Sequence, residues 1–158
     1  MALSTLLLLA LGCAPEATII DGTIAGFDIS EPQTAFFGGR YVVFATEALD
    51  CMDVDWVHHT YAAGDDPVGQ DLVALQFTFA NQDEVSVGHF NISGAAQVKG
   101  SGLVRKAGAF TEYRGSEGTL IVDEAEEKGW STGTFEIILK EDAGTLSGTW
   151  SAEWCINL

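Results

Sequence analysis

The residues best suited to chemistry crowd into one stretch, Asp50-Cys51-Met52-Asp53-Val54-Asp55-Trp56-Val57-His58-His59-Thr60-Tyr61, followed by Asp65 and Asp66. Carboxylates beside imidazoles could hold a divalent cation, oxygen donors favouring calcium and nitrogen donors favouring zinc or copper. Asp53, Asp55, His58 and His59 are the candidate ligands. Their spacing matches neither the Asp-x-Asp-x-Asp-Gly calcium loop nor the His-x-x-x-His pair of a zinc-binding helix. In an extended segment the adjacent His58 and His59 point to opposite faces, so only one of them would join a given site. A solvated acidic loop explains the same residues with fewer requirements, and no cofactor is expected.

Catalytic patterns are equally sparse. The chain has no Gly-x-Ser-x-Gly turn to present a nucleophile and no glycine-rich loop opening a helix to cradle phosphate. Glu126-Glu127 falls in an expected turn, without the apolar surroundings that would raise a carboxyl pKa for acid catalysis. Gly100-Ser101-Gly102, ahead of Arg105-Lys106, reads as an exposed hairpin tip rather than a phosphate site. His89 stands alone on an expected strand, and Asn91-Ile92-Ser93 matches a glycosylation pattern. Trp56, Trp130, Trp150 and Trp154 could offer faces to a sugar, but the parity of Trp150 and Trp154 places those two in the core. The expectation is a chain without enzymatic activity.

Patterning shows what would position these residues. Phe135, Ile137 and Leu139 alternate with Thr134, Glu136 and Lys140, and Trp150, Ala152 and Trp154 alternate with Thr149, Ser151 and Glu153. That is the two-residue period of half-buried strands. No stretch sustains a helical period, which argues against a helix bundle. Gly-Thr followed by an apolar residue recurs at Gly118, Gly133 and Gly148, a 15-residue step that fits one strand plus one turn. Three consecutive antiparallel strands are therefore expected at residues 117–123, 132–140 and 146–154, joined by the acidic connections 124–129 and 141–144.

Residues 41–46 are apolar on both faces and read as a central strand. Residues 72–79 alternate, and 18–24, 85–93 and 97–104 complete the set. The fold class expected is all-β, an antiparallel β-sandwich or small β-barrel of about eight or nine strands. The 18 glycines are available to turn them. A two-layer α+β fold with a helix over residues 45–57 is the rival.

Charge narrows the partners. Seven Lys and Arg stand against 23 Asp and Glu, a net charge of −16. Nucleic acid, which needs a basic face to displace counterions, is excluded as a partner, and an anionic membrane surface is disfavoured. At 158 residues and 47% hydrophobic the chain is long and apolar enough to fold as one domain despite its charge.

The N-terminus carries an address. A run of Leu and Ala over residues 6–11 ends in Gly12-Cys13 and is too short for the ~18 apolar residues of a spanning helix. Ala10-Leu11-Gly12-Cys13 resembles the bacterial lipobox, although Ala10 and Leu11 differ from its commonest residues and residues 1–5 carry no Lys or Arg. A start codon a few residues upstream would supply that charge. The resemblance implies a signal peptide at 1–12, lipid attachment at Cys13, a tether over 13–18 and a single β-domain over 19–158. Ala14 after the cysteine implies sorting to the outer membrane, so the location expected is the bacterial cell envelope, with the membrane reached through the N-terminal lipid.

With Cys13 lipidated, Cys51 and Cys155 remain as an even pair suited to a disulfide in an oxidising compartment, the alternative being two buried thiols. Gly22-Thr23-Ile24-Ala25-Gly26-Phe27, the Val-rich approach from Arg40 to Cys51, and Ser147-Gly148-Thr149-Trp150-Ser151-Ala152-Glu153-Trp154-Cys155 together resemble bacterial lipoproteins of the myxobacterial kind. Those end in a Gly-x-Phe-x-Ala-x-x-Cys strand, where this chain has Trp150 for the Phe. The resemblance implies a β-fold with a disulfide and assigns no activity. The function expected is a lipid-anchored, non-catalytic structural or binding module of the envelope with an unspecified protein or small-molecule partner. Alternatives are a small-ligand or metal-binding barrel, or an inhibitor of a basic envelope-attacking enzyme.

Overall fold

The computed structural model describes residues 16–51, 71–93, 96–107, 109–156 and 158. These contain β1 (Ile19–Ile24), β2 (Phe27–Asp28), β3 (Thr34–Gly38), β4 (Tyr41–Ala45), β5 (Leu72–Phe79), β6 (Gly88–Ser93), β7 (Val98–Lys106), β8 (Ala109–Ala125), β9 (Trp130–Leu139) and β10 (Gly144–Trp154). The fold is all-β, and its sheet closes in a ring. The helix considered over residues 45–57 does not form in its described first half, where Ala45 ends β4 and residues 46–50 are bend and irregular, while residues 52–57 lie outside the described residues.

The ring follows from two long strands with two partners on one edge. β10 lies antiparallel to β9 along its whole length, while its other edge takes β1 from Ile19↔Thr149 to Gly22↔Leu146 and then β3 in parallel at Glu153↔Phe36 and Trp154↔Phe37. From β3 the ladder continues antiparallel through β4, β5, β7 and β8 back to β9. β8 makes the matching switch, pairing β7 up to Ser101↔Arg114 and β6 from Ser93↔Glu117 onward.

The three-strand meander expected near the C-terminus is present as β8, β9 and β10. Three elements escaped the pattern, the first being β2, only two residues long. β3 is a short strand ending in Gly38, and the first half of β8, Ala109 to Arg114, is largely exposed, so neither carries a clear alternation.

Alternation decides what faces inward. Phe44, Phe77, Phe135 and Trp150 meet along the barrel axis, with ring centroids of Phe44 lying 6.4, 6.1 and 6.0 Å from those of Phe77, Phe135 and Trp150. The interior is thus occupied by side chains, as in a packed core. β4 is buried on both faces, as its sequence predicts. Val42 and Phe44 enter the main core, while Val43 and Ala45 join Leu49, Leu72, Ala74 and Leu103 in a second cluster outside the ring.

The basic pair Arg105-Lys106 requires a correction. Arg105 is only 4% exposed and sits within β7 beside that second cluster, and Gly100-Ser101-Gly102 is mid-strand; only Lys106 reaches the tip. A strand's two faces separate neighbours, so one of an adjacent pair was bound to point toward the covered side. Lys106 bonds Asp71 at 2.9 Å and lies 4.9 Å above the Phe27 ring, and the Ala107 N–H donates to the other Asp71 oxygen.

The Lys106 hydrogen bond, followed by that of Ala107, lowers the pKa of Asp71 below its ordinary 3.8. A lowered folded-state value contributes stability that is present above the unfolded value and lost as pH falls through the folded one. Asp71→Asn is therefore expected to shrink the acid-side loss of stability, measured as urea midpoints from about pH 5 to 2.

Candidate functional site

The outer face of β8, β9 and β10 carries a groove of about 450 Å³. Its floor is built by register: Thr134 pairs with Thr149 and Thr132 with Ser151, placing four hydroxyl side chains on one outward patch. Beyond them, Trp130 is 42% exposed and forms a wall.

Carboxylates form the rim. Asp123 and Glu124 are neighbours and would face opposite sides of a regular strand, but the β8–β9 register shifts between Val122 and Glu124. That bulge turns both acids toward the groove. Glu126 joins them from the β8–β9 turn, which is closed by Glu126 N–H to Trp130 O and Gly129 N–H to Glu126 O. Glu16 arrives from the other side with the segment preceding β1. The Thr18 hydroxyl holds that segment in place, donating to Ser151 O at 2.8 Å and accepting from Ser151 N–H at 3.0 Å.

Two buried polar atoms border the groove without a hydrogen-bond partner, Ser151 Oγ and Trp150 Nε1. Their residues are 6% and 3% exposed. Buried polar groups are normally paired, so an unmet hydroxyl at a groove floor is a place where a ligand polar group gains more than it would in water. The lining contains no Lys, Arg or His, so the groove is strongly negative. Among the described residues no three His, Cys, Asp or Glu side chains come close enough to share a metal ion. The acids are spread along the groove, which suits an extended cationic group with an apolar stem.

The residues singled out from sequence have varied fates. Cys51 and Cys155 are joined in a disulfide, with Cα atoms 5.5 Å apart. Cys13, Asp53, Asp55, His58, His59 and Trp56 lie outside the described residues. Trp150 is in the core and Trp154 packs partly buried against it, as their parity implies, leaving Trp130 as the exposed indole among the described residues. His89 is exposed on β6.

Sequence reasoning passed over Asp123, Glu124, Thr132, Thr134, Thr149 and Ser151 as site residues. The outward Thr at matching places on two consecutive expected strands was the available signal; the bulge that joins Asp123 to Glu124 left none. No family model, curated protein or solved structure matches this chain.

Proposed function

We propose that the protein is a lipid-anchored, non-catalytic binding module of the bacterial cell envelope whose partner is a basic protein. The observation that carries this reading is the groove beside Trp130, where Glu16, Asp123, Glu124 and Glu126 surround an exposed indole with no cation among the lining residues. An Arg or Lys side chain would lay its stem on the indole and its charge among the carboxylates. The net charge of −16 would speed encounter with such a partner and make it sensitive to salt. A basic enzyme that attacks the envelope is a partner of this chemistry.

Two measurements test the reading. Titration with a hexa-arginine peptide, followed by tryptophan fluorescence, is expected to saturate and to weaken with added salt. Trp130→Ala should lower affinity about fivefold, the worth of one partly exposed cation–π contact. Equal affinity for a hexaglutamate peptide, or no change in the Trp130→Ala protein, refutes the binding role. Intact mass of the protein from host membranes should match a chain that begins at diacylated Cys13, and an unprocessed soluble chain refutes the anchor.

A further inference from the structure

Only seven Lys and Arg are present among 158 residues, yet three of them line a single second groove, also of about 450 Å³, on the opposite arm of β8. Lys99 comes from β7, Arg114 from β8 and Lys140 from the residue after β9. Each alternates with an inward neighbour, Val98, Gly115 and Leu139 respectively, so all three project outward from adjacent strands. Arg114 is directly across from Ser101, and the Lys140 N–H donates to Arg114 O at 2.8 Å, which fixes the three strands side by side.

The concavity has two structural causes. Here β8 exchanges one partner for another, leaving β7 after Ser101↔Arg114 and meeting β6 at Ser93↔Glu117, so the wall opens at a three-strand fork with Ser93 on its edge. The fork is also drawn inward. A Cβ on Gly100 would stand 2.3 Å from Ile137 Cδ1, and one on Gly115 would stand 3.0 Å from the same atom. A Cβ on Gly100 would force the end of the Ile137 side chain to shift and one on Gly115 would crowd it, so these two glycines let the backbone lie close over Ile137 at the groove floor.

The groove's charges are not consumed internally. Glu112 is the one carboxylate in the lining; it accepts from Arg114 Nε at 3.3 Å and from Ser101 Oγ at 2.8 Å. That bond orients the guanidinium and leaves its terminal N–H groups available. Lys99 and Lys140 make no ion pair among the described residues. Three cations against one carboxylate leave two positive charges in a chain where acids outnumber bases threefold. The many distant acids do little to cancel them, because the screening length at physiological salt is about 8 Å.

We propose that this fork is a binding site for a phosphate-type dianion. Two lysines supply point charges, Arg114 a planar pair of terminal N–H donors and Ser93 a hydroxyl on the rim, while the Ser101 hydroxyl stays on Glu112; together the free donors match the charge and several acceptor oxygens of a phosphate monoester better than a single carboxylate. The phosphate group can come from a soluble monoester or from a lipid headgroup. The site is separate from the acidic groove and does not depend on its partner.

Amide NMR on the full chain with its disulfide intact tests the site, using inorganic phosphate as probe at constant ionic strength against chloride. Saturable shifts are expected at Gly100, Ser101 and Gly115, with affinity weakened at least about tenfold in Lys99→Gln/Lys140→Gln. Lys128→Gln, on the β8–β9 turn, should bind like the parent. Both variants replace exposed side chains, so unchanged amide spectra elsewhere confirm folding.

Cosedimentation with phosphatidylcholine vesicles, with and without phosphatidic acid, separates the sources. Extra binding to the acidic vesicles that the double variant loses identifies a headgroup. Binding of inorganic phosphate with no difference between vesicles identifies a soluble monoester. Shifts that merely follow ionic strength, persist in the double variant or are absent, together with no difference between vesicles, overturn the proposal.

Discussion

Phe44→Ala is expected to destabilise the protein by about 3–5 kcal/mol, the cost of removing a large ring from a packed interior and leaving a cavity. Phe44 is fully buried in β4, with its ring stacked on Phe135 and edge-on to Phe77 and Trp150. The four rings come from β4, β5, β9 and β10, so this one side chain touches opposite walls of the ring. Closed hydrogen-bonded walls also limit how far the cavity can collapse. Phe44→Leu retains most of the volume and should cost only about 1–1.5 kcal/mol. Urea unfolding with an unchanged slope is the measurement. A loss below about 1 kcal/mol for the alanine variant would mean that the interior is not packed on this ring.

Removing the disulfide should have an effect of the same size. Cys51 and Cys155 are 104 residues apart, and a cross-link over that span restricts the unfolded chain by about 4–5 kcal/mol in the chain-entropy account. Its place in the fold adds a local consequence. β10 and β3 are joined in parallel by only two residue pairs, the shortest ladder on the ring's main circuit, and Cys155 immediately follows them. The Cys155 N–H donates to Phe37 O at 2.7 Å, extending that seam by one bond.

Reduction of the wild type and the Cys51→Ala change should therefore lower stability by similar amounts. Cys155→Ala should cost slightly more, because the Cys155 side chain is itself fully buried. Hydrogen exchange should accelerate first at Cys155 and at the β3 residues paired with β10. A reduced protein that keeps its urea midpoint would refute the stabilising role.

Strand identity was legible wherever one face meets the core and the other meets water. Phe135, Ile137 and Leu139, or Phe77 and Phe79 at the end of β5, announce their strands because burial imposes a period of two. The continuous apolar run at residues 41–45 correctly signalled a strand covered on both sides. β3 and the early part of β8 were not legible because their environment comes from other strands: β3 closes the ring onto β10, and residues 109–114 form an exposed edge of a long hairpin.

The cysteine pairing was anticipated from parity of number alone and stands in the structure, one step beyond the ring's seam. The site was less legible. An acidic surface follows from composition, yet a groove needs Asp123 and Glu124 on the same side, and a register shift between strands creates that arrangement. The cluster of Lys99, Arg114 and Lys140 spans 41 positions of sequence and is assembled by β8 changing partners.

By itself, then, the sequence determined the all-β class, the inward residues of most strands, the strong negative charge and the available cysteine pair, because each depends on residue type or on local period. Ring closure, the parallel seam, the two-sided use of β8 and both grooves were decided only by tertiary structure. They depend on which strand lies beside which and at what offset, and paired residues here are up to 130 positions apart, as in Ile19↔Thr149, beyond the reach of any local pattern.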